Sequence, residues 1–278
     1  MTRPPSPSAT PHAPRRILYG RRKGRSLRPA RRRLVRELLP RIGLTLDAGR
    51  GAPLLDPARF FDGSPVFAAG GAQSAGGVPF SHGAAAPPWR EVWLEVGFGA
   101  GEHLAAQAEA HADIAFIGCE PFLNGVAALL ARVDARRLSN IRIYGDDARF
   151  LIERLAPGTL ARVFVLFPDP WPKARHARRR FIAADTLDDL ARVMADGAEL
   201  RFATDDPVYL RWALAALTAH EGFRWVAEKA ADWRFRPADQ PATRYEEKAR
   251  AKGVTPVFLV FERRPRAAPG LRQKPQNT

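Results

Sequence analysis

Leu94-Glu-Val-Gly-Phe-Gly-Ala-Gly101 marks the point where an apolar run gives way to alternating glycines. Glycine tolerates the left-handed backbone of a tight strand-to-helix turn and lets a ligand approach the main chain. The flanking residues therefore read as a strand over 91–97 and a helix over 101–111. Outward from this turn the alternation repeats. Short apolar runs predict strands over 114–119, 140–144, 161–167, 197–203, 223–227 and 256–262. Longer amphipathic stretches predict helices over 122–138, 147–155, 178–194 and 206–220. Such alternation points to an α/β fold: a mostly parallel seven-stranded sheet with helices on both faces. No helix is expected between the last two strands, so one of them should run antiparallel. Ligands of such sheets lie at the carboxyl ends of the strands, beside the point where strand order reverses.

The dinucleotide pattern G-x-G-x-x-G fails here, because Glu102 stands in the third glycine's place. A carboxylate there would repel a pyrophosphate at the helix N-terminus. Gly97, Gly99 and Gly101 behind the acid Glu95 instead resemble the first motif of Rossmann-like, S-adenosylmethionine-dependent methyltransferases. Glu120 closes the second strand, where a carboxylate can accept both ribose hydroxyls of an adenosine. After the third strand, Gly145-Asp-Asp147 offers one acid to cap the next helix and one to face an adenine amine. The expectation is Asp146 for the cap and Asp147 for the ligand. Acids in place of phosphate-binding cations suit a sulfonium cofactor.

The fourth strand delivers Pro168-Asp-Pro-Trp-Pro-Lys173 at the sheet's edge. Its prolines fix φ and stiffen the loop, as a preorganised site requires. Phe167-Pro-Asp-Pro-Trp-Pro-Lys-Ala-Arg-His-Ala-Arg-Arg-Arg180 resembles the signature of the bacterial tRNA (guanine-N7-)-methyltransferases. The similarity extends over about 240 residues, from Tyr19-Gly-Arg-Arg-Lys-Gly24 through Phe202-Ala-Thr-Asp205 to Thr243-Arg-Tyr-Glu246, a loop before the last strand.

That resemblance implies a function for each matching position. Glu95, Glu120, Asp147 and Asp169 would contact S-adenosyl-L-methionine, with Asp169 also the catalytic residue. Lys173, Asp205, Thr243, Arg244, Tyr245 and Glu246 would hold the substrate guanosine. Arg175, His176, Arg178, Arg179 and Arg180 would bind the RNA backbone. The implied product is 7-methylguanosine at position 46, in the variable loop of tRNA. N7 of guanine carries a free lone pair and no proton, so no general base is required. Asp169 would position the reactants and stabilise the charge that moves onto the purine. Two alternatives remain in view: a methyltransferase acting on an exocyclic amine, and a non-catalytic RNA-binding protein on the same fold.

Charge supports a polyanionic partner. There are 44 Lys+Arg against 29 Asp+Glu, a net +15. About a dozen of the cations lie between Arg15 and Arg41, where Glu37 is the single acid. This basic segment is a second candidate grip on RNA, and 28–39 within it is predicted as a short amphipathic helix. The lone Cys119 excludes an internal disulfide, and the histidines show no paired metal spacing, so no metal is expected. No apolar run spans a membrane and no secretory h-region opens the chain, so a cytoplasmic protein is expected, as a monomer. The predicted organisation is a disordered tail (1–14), the basic segment (15–61), a Gly/Ala/Pro-rich flexible insertion (62–88), a methyltransferase domain (89–265) and a second disordered tail (266–278).

Overall fold

The computed structural model describes residues 20–46, 53–61 and 89–266. The predicted tail at 1–14, the insertion at 62–88 and all of the predicted tail at 266–278 except Arg266 lie outside the described residues.

The chain opens with α1 (Pro29–Glu37), α2 (Leu39–Ile42) and the short β1 (Gly43–Leu44). Strands and helices then alternate: β2 (Glu91–Val96), α3 (Glu102–Ala110), β3 (Ile114–Cys119), α4 (Leu123–Arg136), β4 (Ile141–Tyr144), α5 (Ala148–Arg154) and β5 (Leu160–Leu166). Next come α6 (Ala184–Val193), β6 (Met194–Thr204), α7 (Pro207–Ala219), β7 (Phe223–Trp225), α8 (Ala231–Arg234), α9 (Arg244–Ala251) and β8 (Val257–Arg263). The sheet order is β1-β4-β3-β2-β5-β6-β8-β7. Strands β1 through β6 pair in parallel, and β8 runs antiparallel to both β6 and β7. Strand order reverses at β2, which pairs with β3 on one side and β5 on the other.

Side chains on a strand alternate between faces, and here both faces are apolar. Leu94, Ile117, Val163 and Val165 fill one core, while Trp93, Phe116, Phe164 and Leu166 fill the other. Each such side chain contributes about 1.5–3 kcal/mol when fully buried. Helices cover both faces because neither can be left to water. The N-terminal segment belongs to the same cores: Leu34, Leu38 and Ile42 join one, Leu44, Phe60 and Phe61 the other. Within it, β1 adds an eighth strand to the seven expected.

Three expectations are corrected. The region between β7 and β8 holds two helices, α8 and α9, although β8 is antiparallel as expected. The helix expected over 178–194 starts only at Ala184. Residues 174–179 form a 3-10 turn, and Ile182 is buried in the bend that follows. Its N–H donates to the Tyr209 hydroxyl at 3.1 Å, and its carbonyl accepts the Trp212 Nε1–H at 2.6 Å. Finally, Asp147, not Asp146, caps α5, accepting the Arg149 N–H at 3.0 Å. The carboxylate two residues before an N–H fits the capping geometry, and Asp146 sits one residue too early.

Candidate active site at the strand-order reversal

The carboxyl ends of β2, β3, β4 and β5 surround a cavity of about 440 Å³, within the range of small-ligand sites. At its floor, Gly97 and Gly99 adopt positive φ (72° and 57°), as does Gly101 (74°) outside the lining. A Cβ on Gly97 would meet nothing within 4 Å, so the backbone itself faces the open cavity. A Cβ on Gly101 would stand 2.7 Å from Leu129, which fixes that glycine for packing.

Glu120 joins this turn to the next strand. Its Oε2 accepts the Gly99 N–H at 2.8 Å and its Oε1 accepts the Phe122 N–H at 2.9 Å. Burial pushes the Glu120 carboxyl above its ordinary value. Those two backbone donors pull it down in part, while the charges of Asp169 and Glu95 add to the rise. Asp147 shares the wall and is buried, with Arg149 Nη2 at 2.5 Å from its Oδ2. Asp146 accepts the Asp147 N–H and the Arg22 guanidinium, both at 2.8 Å. Glu95 is not brought to the wall. It is buried behind the turn with its Oε2 2.7 Å from His103 Nδ1.

The loop after β5 forms the opposite wall through Phe167, Pro168, Asp169 and Trp171. Phe167 and Trp171 both have positive φ (51° and 44°), a conformation that costs bulky residues roughly 1–3 kcal/mol each and persists only when the surroundings impose it. Arg180 supplies the restraint. Its Nε donates to Pro170 O at 2.9 Å and its Nη2 to Trp171 O at 3.0 Å, and its guanidinium lies 4.8 Å from the Trp212 ring. Asp169 is thereby presented, exposed, at the cavity mouth.

Comparison with known proteins agrees with this geometry. Residues 90–259 match the family model described as "Putative methyltransferase". The chain is 48% identical over 251 residues to a tRNA (guanine-N(7)-)-methyltransferase of Rhodospirillum rubrum, covering 90% of this chain and 89% of that protein. It is 47% identical over 255 residues to the one of Paramagnetospirillum magneticum (91% and 95% covered) and 40% identical over 257 residues to that of a Jannaschia species (91% and 97%). The chain belongs to the tRNA (guanine-N(7)-)-methyltransferase family.

As a member of that family, the chain sorts its expected substrate residues into two groups. Tyr245 reaches the cavity, 3.3 Å from where a Gly99 Cβ would be, with its ring stacked on Phe167 at 6.3 Å. Arg244 is exposed beside it. Thr243 and Glu246 are buried and turned to structural work, and they open a helix in place of the expected loop. Thr243 caps α9 by accepting the Glu246 N–H at 3.1 Å, half of a capping box. The Glu246 carboxylate pairs with Arg236 at 3.0 Å and Arg250 at 3.1 Å. Asp205 is exposed at the end of β6, outside the cavity wall.

The basic run divides likewise. Lys173, Arg175 and Arg178 are exposed, and Arg179 lies 4.8 Å from the Trp171 ring on the cavity wall. His176 packs edge-on to Trp171 at 5.8 Å, and its pKa is lowered by desolvation and then by the surrounding cations. Arg180, expected to bind RNA, is buried as the loop's clamp. Its guanidinium is consumed by carbonyls and ring faces, so it has none to offer a phosphate.

Sequence reasoning missed Gly125, Gly20 and Arg21. Gly20 and Arg21 line the cavity wall. A Cβ on Gly125 would lie 2.2 Å from Gly99 O, so α4 can approach the glycine turn only with no side chain there. The signal was present: an isolated glycine inside a helical pattern costs about 1 kcal/mol and so implies a packing reason. Among the described residues no group of three His, Cys, Asp or Glu could hold a metal ion, and no helix is long and apolar enough to cross a membrane.

Proposed function

We propose that the protein transfers a methyl group from S-adenosyl-L-methionine to N7 of a guanine in tRNA, giving 7-methylguanosine at position 46 of the variable loop. The observation that carries this reading is that Glu120, buried on the glycine turn, and Asp169, exposed on the opposite loop, border one cavity. The residues present fit the cofactor. The open space above Gly97 admits it against bare backbone, and an acidic lining (Glu120, Asp146, Asp147, Asp169) suits a cationic sulfonium. When bound, it supplies an electrophilic methyl group.

Glu120 holds the ribose through lone pairs left beside its two backbone donors. Asp147, already fixed by Arg149, faces the adenine amine. Asp169 stands between donor and base, held by the Arg180 clamp, and stabilises the positive charge as it moves onto the purine. Tyr245 and Arg244 close on the guanosine from α9, with Lys173 and Asp205 at its edge. Arg175, Arg178 and Arg179 meet the RNA backbone. The reading carries with it a cytoplasmic, monomeric, metal-free enzyme built on an 89–265 methyltransferase unit.

The test is incubation with labelled S-adenosylmethionine and unmodified tRNA, followed by nucleoside analysis. Label is expected in 7-methylguanosine; label on N1 or N2 of guanosine overturns the reading. In a single-turnover arm, Asp169→Asn should slow methyl transfer by about 10²–10³-fold. A near-normal rate would remove Asp169 from the chemistry.

A further inference from the structure

Residues 20–28 form a strap across the amino end of α4. The Leu123 N–H donates to Arg22 O at 2.9 Å, and Asn124 grips the strap twice: its Oδ1 accepts the Gly24 N–H at 2.9 Å and its Nδ2 donates to Arg25 O at 2.7 Å. Arg22 adds its ion pair to Asp146. Gly20 and Arg21, at one end of the strap, wall the cofactor cavity. The other end walls a second cavity of about 400 Å³, bounded by Arg25, Ser26, Leu27, Arg28, Arg31 and Asn124.

Three arginines, Arg25, Arg28 and Arg31, line this second cavity, and all three are exposed. Three neighbouring arginines have acids, Arg22 pairing with Asp146 and Arg33 and Arg36 with Glu37, while Arg32 donates to Leu27 O at 3.2 Å. Among the described residues no carboxylate pairs with Arg25, Arg28 or Arg31. The first turn of α1, which carries Arg31, holds no acid either. Leu27 is the one apolar residue among the six that line it. Planar guanidinium forks match phosphate oxygens in pairs. Arg21 and Arg25 are four residue steps apart, at most about 14 Å of chain. An RNA strand whose base enters the first cavity therefore has phosphates within reach of the second.

We propose that Arg25, Arg28 and Arg31 form a phosphate-binding site that grips the sugar–phosphate backbone of the RNA beside the target guanosine. The site rests on the tRNA reading above but is separate from the basic run at 173–180. It turns the Asn124-held strap into a shared wall between cofactor and RNA.

The experiment measures binding of an unmodified tRNA transcript across a salt series, using the full chain. Each lost phosphate contact lowers the slope of log K against log salt by about 0.7–0.9. Arg28→Gln/Arg31→Gln should therefore lose about 1.4–1.8 of slope, and each single variant about half of that. Arg33→Gln/Arg36→Gln, whose arginines already have Glu37, should lose less than either single variant. Thermal melting and S-adenosylmethionine binding without RNA report that each variant is folded. An unchanged slope in Arg28→Gln/Arg31→Gln, or equal losses in the two double variants, overturns the site. Failure of the unaltered protein to bind or methylate tRNA would instead overturn the tRNA reading, which the nucleoside analysis detects separately.

Discussion

The glycine turn at residues 97–101 and the loop at residues 167–173 face one another across one cavity, yet they are made rigid by opposite means. The turn is built by subtraction. Side chains are absent at Gly97, Gly99 and Gly125, and short backbone bonds to Cys119 O and Glu120 hold what remains. The loop is built by insertion. Two bulky residues with positive φ stand there, Phe167 tied to Ala203 O and Trp171 held by Arg180, a charged side chain brought in from a later position in the chain. The first device leaves bare backbone facing the cavity, and the second sets the Asp169 carboxylate at its mouth, where the proposed function uses them for cofactor and reacting atoms. Each should therefore fail in its own way.

The largest effect is expected from filling the subtraction. Gly125→Ala places a methyl carbon 2.2 Å from Gly99 O, so either α4 or the turn must move. Overpacking of this kind costs about 1–3 kcal/mol. A displacement near 1 Å at a binding turn can also cost on the order of 10² in function. Calorimetric titration should show S-adenosylmethionine affinity reduced by that order, alongside a lowered melting temperature. Wild-type affinity in Gly125→Ala would mean that the contact between α4 and the turn has no functional weight.

Removing the insertion should leave cofactor binding largely intact and damage turnover instead. Arg180→Lys keeps a charge but loses the planar fork that reaches both Pro170 O and Trp171 O. Its kcat is expected to fall by roughly 10–10²-fold, with the salt slope of tRNA binding unchanged. Arg178→Gln, two residues earlier and exposed, should do the reverse, raising the tRNA KM and lowering the slope by about 0.7–0.9 with kcat nearly preserved. Steady-state kinetics on the pair, with salt series, would dissolve the distinction if both variants shifted the slope alike.

The same contrast explains what could be read before any coordinates. The glycine turn, Glu120 and Asp169 were legible because a strand-end turn is a local device, and its residues stand where the strand–helix alternation ends. Arg180 was not legible. In sequence it is the third of three consecutive arginines, and only the packing of Trp212 and Tyr209 turns it inward. The second, structural use of Thr243 and Glu246 was hidden for a related reason. Their spacing is also that of a helix cap, and whether such a pair holds a ligand or a helix depends on Arg236 and Arg250 arriving from elsewhere. The order of Asp146 and Asp147 turned on a one-residue shift in where α5 begins.

The smallest expected effect separates what the turn needs for binding from what it needs for folding. Burial holds the Glu120 carboxyl above the ordinary glutamate range, against the pull of the Gly99 and Phe122 N–H groups. The ionised form is the one that accepts ribose hydroxyls, so acidification through this raised pKa should weaken S-adenosylmethionine binding several-fold. Folding responds in the opposite sense. A carboxyl that holds its proton more tightly in the folded chain contributes stability that is full below the unfolded pKa and lost as pH rises through the folded one. The melting temperature of the cofactor-free protein, taken relative to Glu120→Gln, should therefore rise over the same acidification that weakens the cofactor. Glu120→Gln itself should bind weakly with a flat pH profile. A cofactor affinity that stays constant until the pH falls below the usual glutamate pKa would show that the turn, and not the charge of Glu120, carries the ribose.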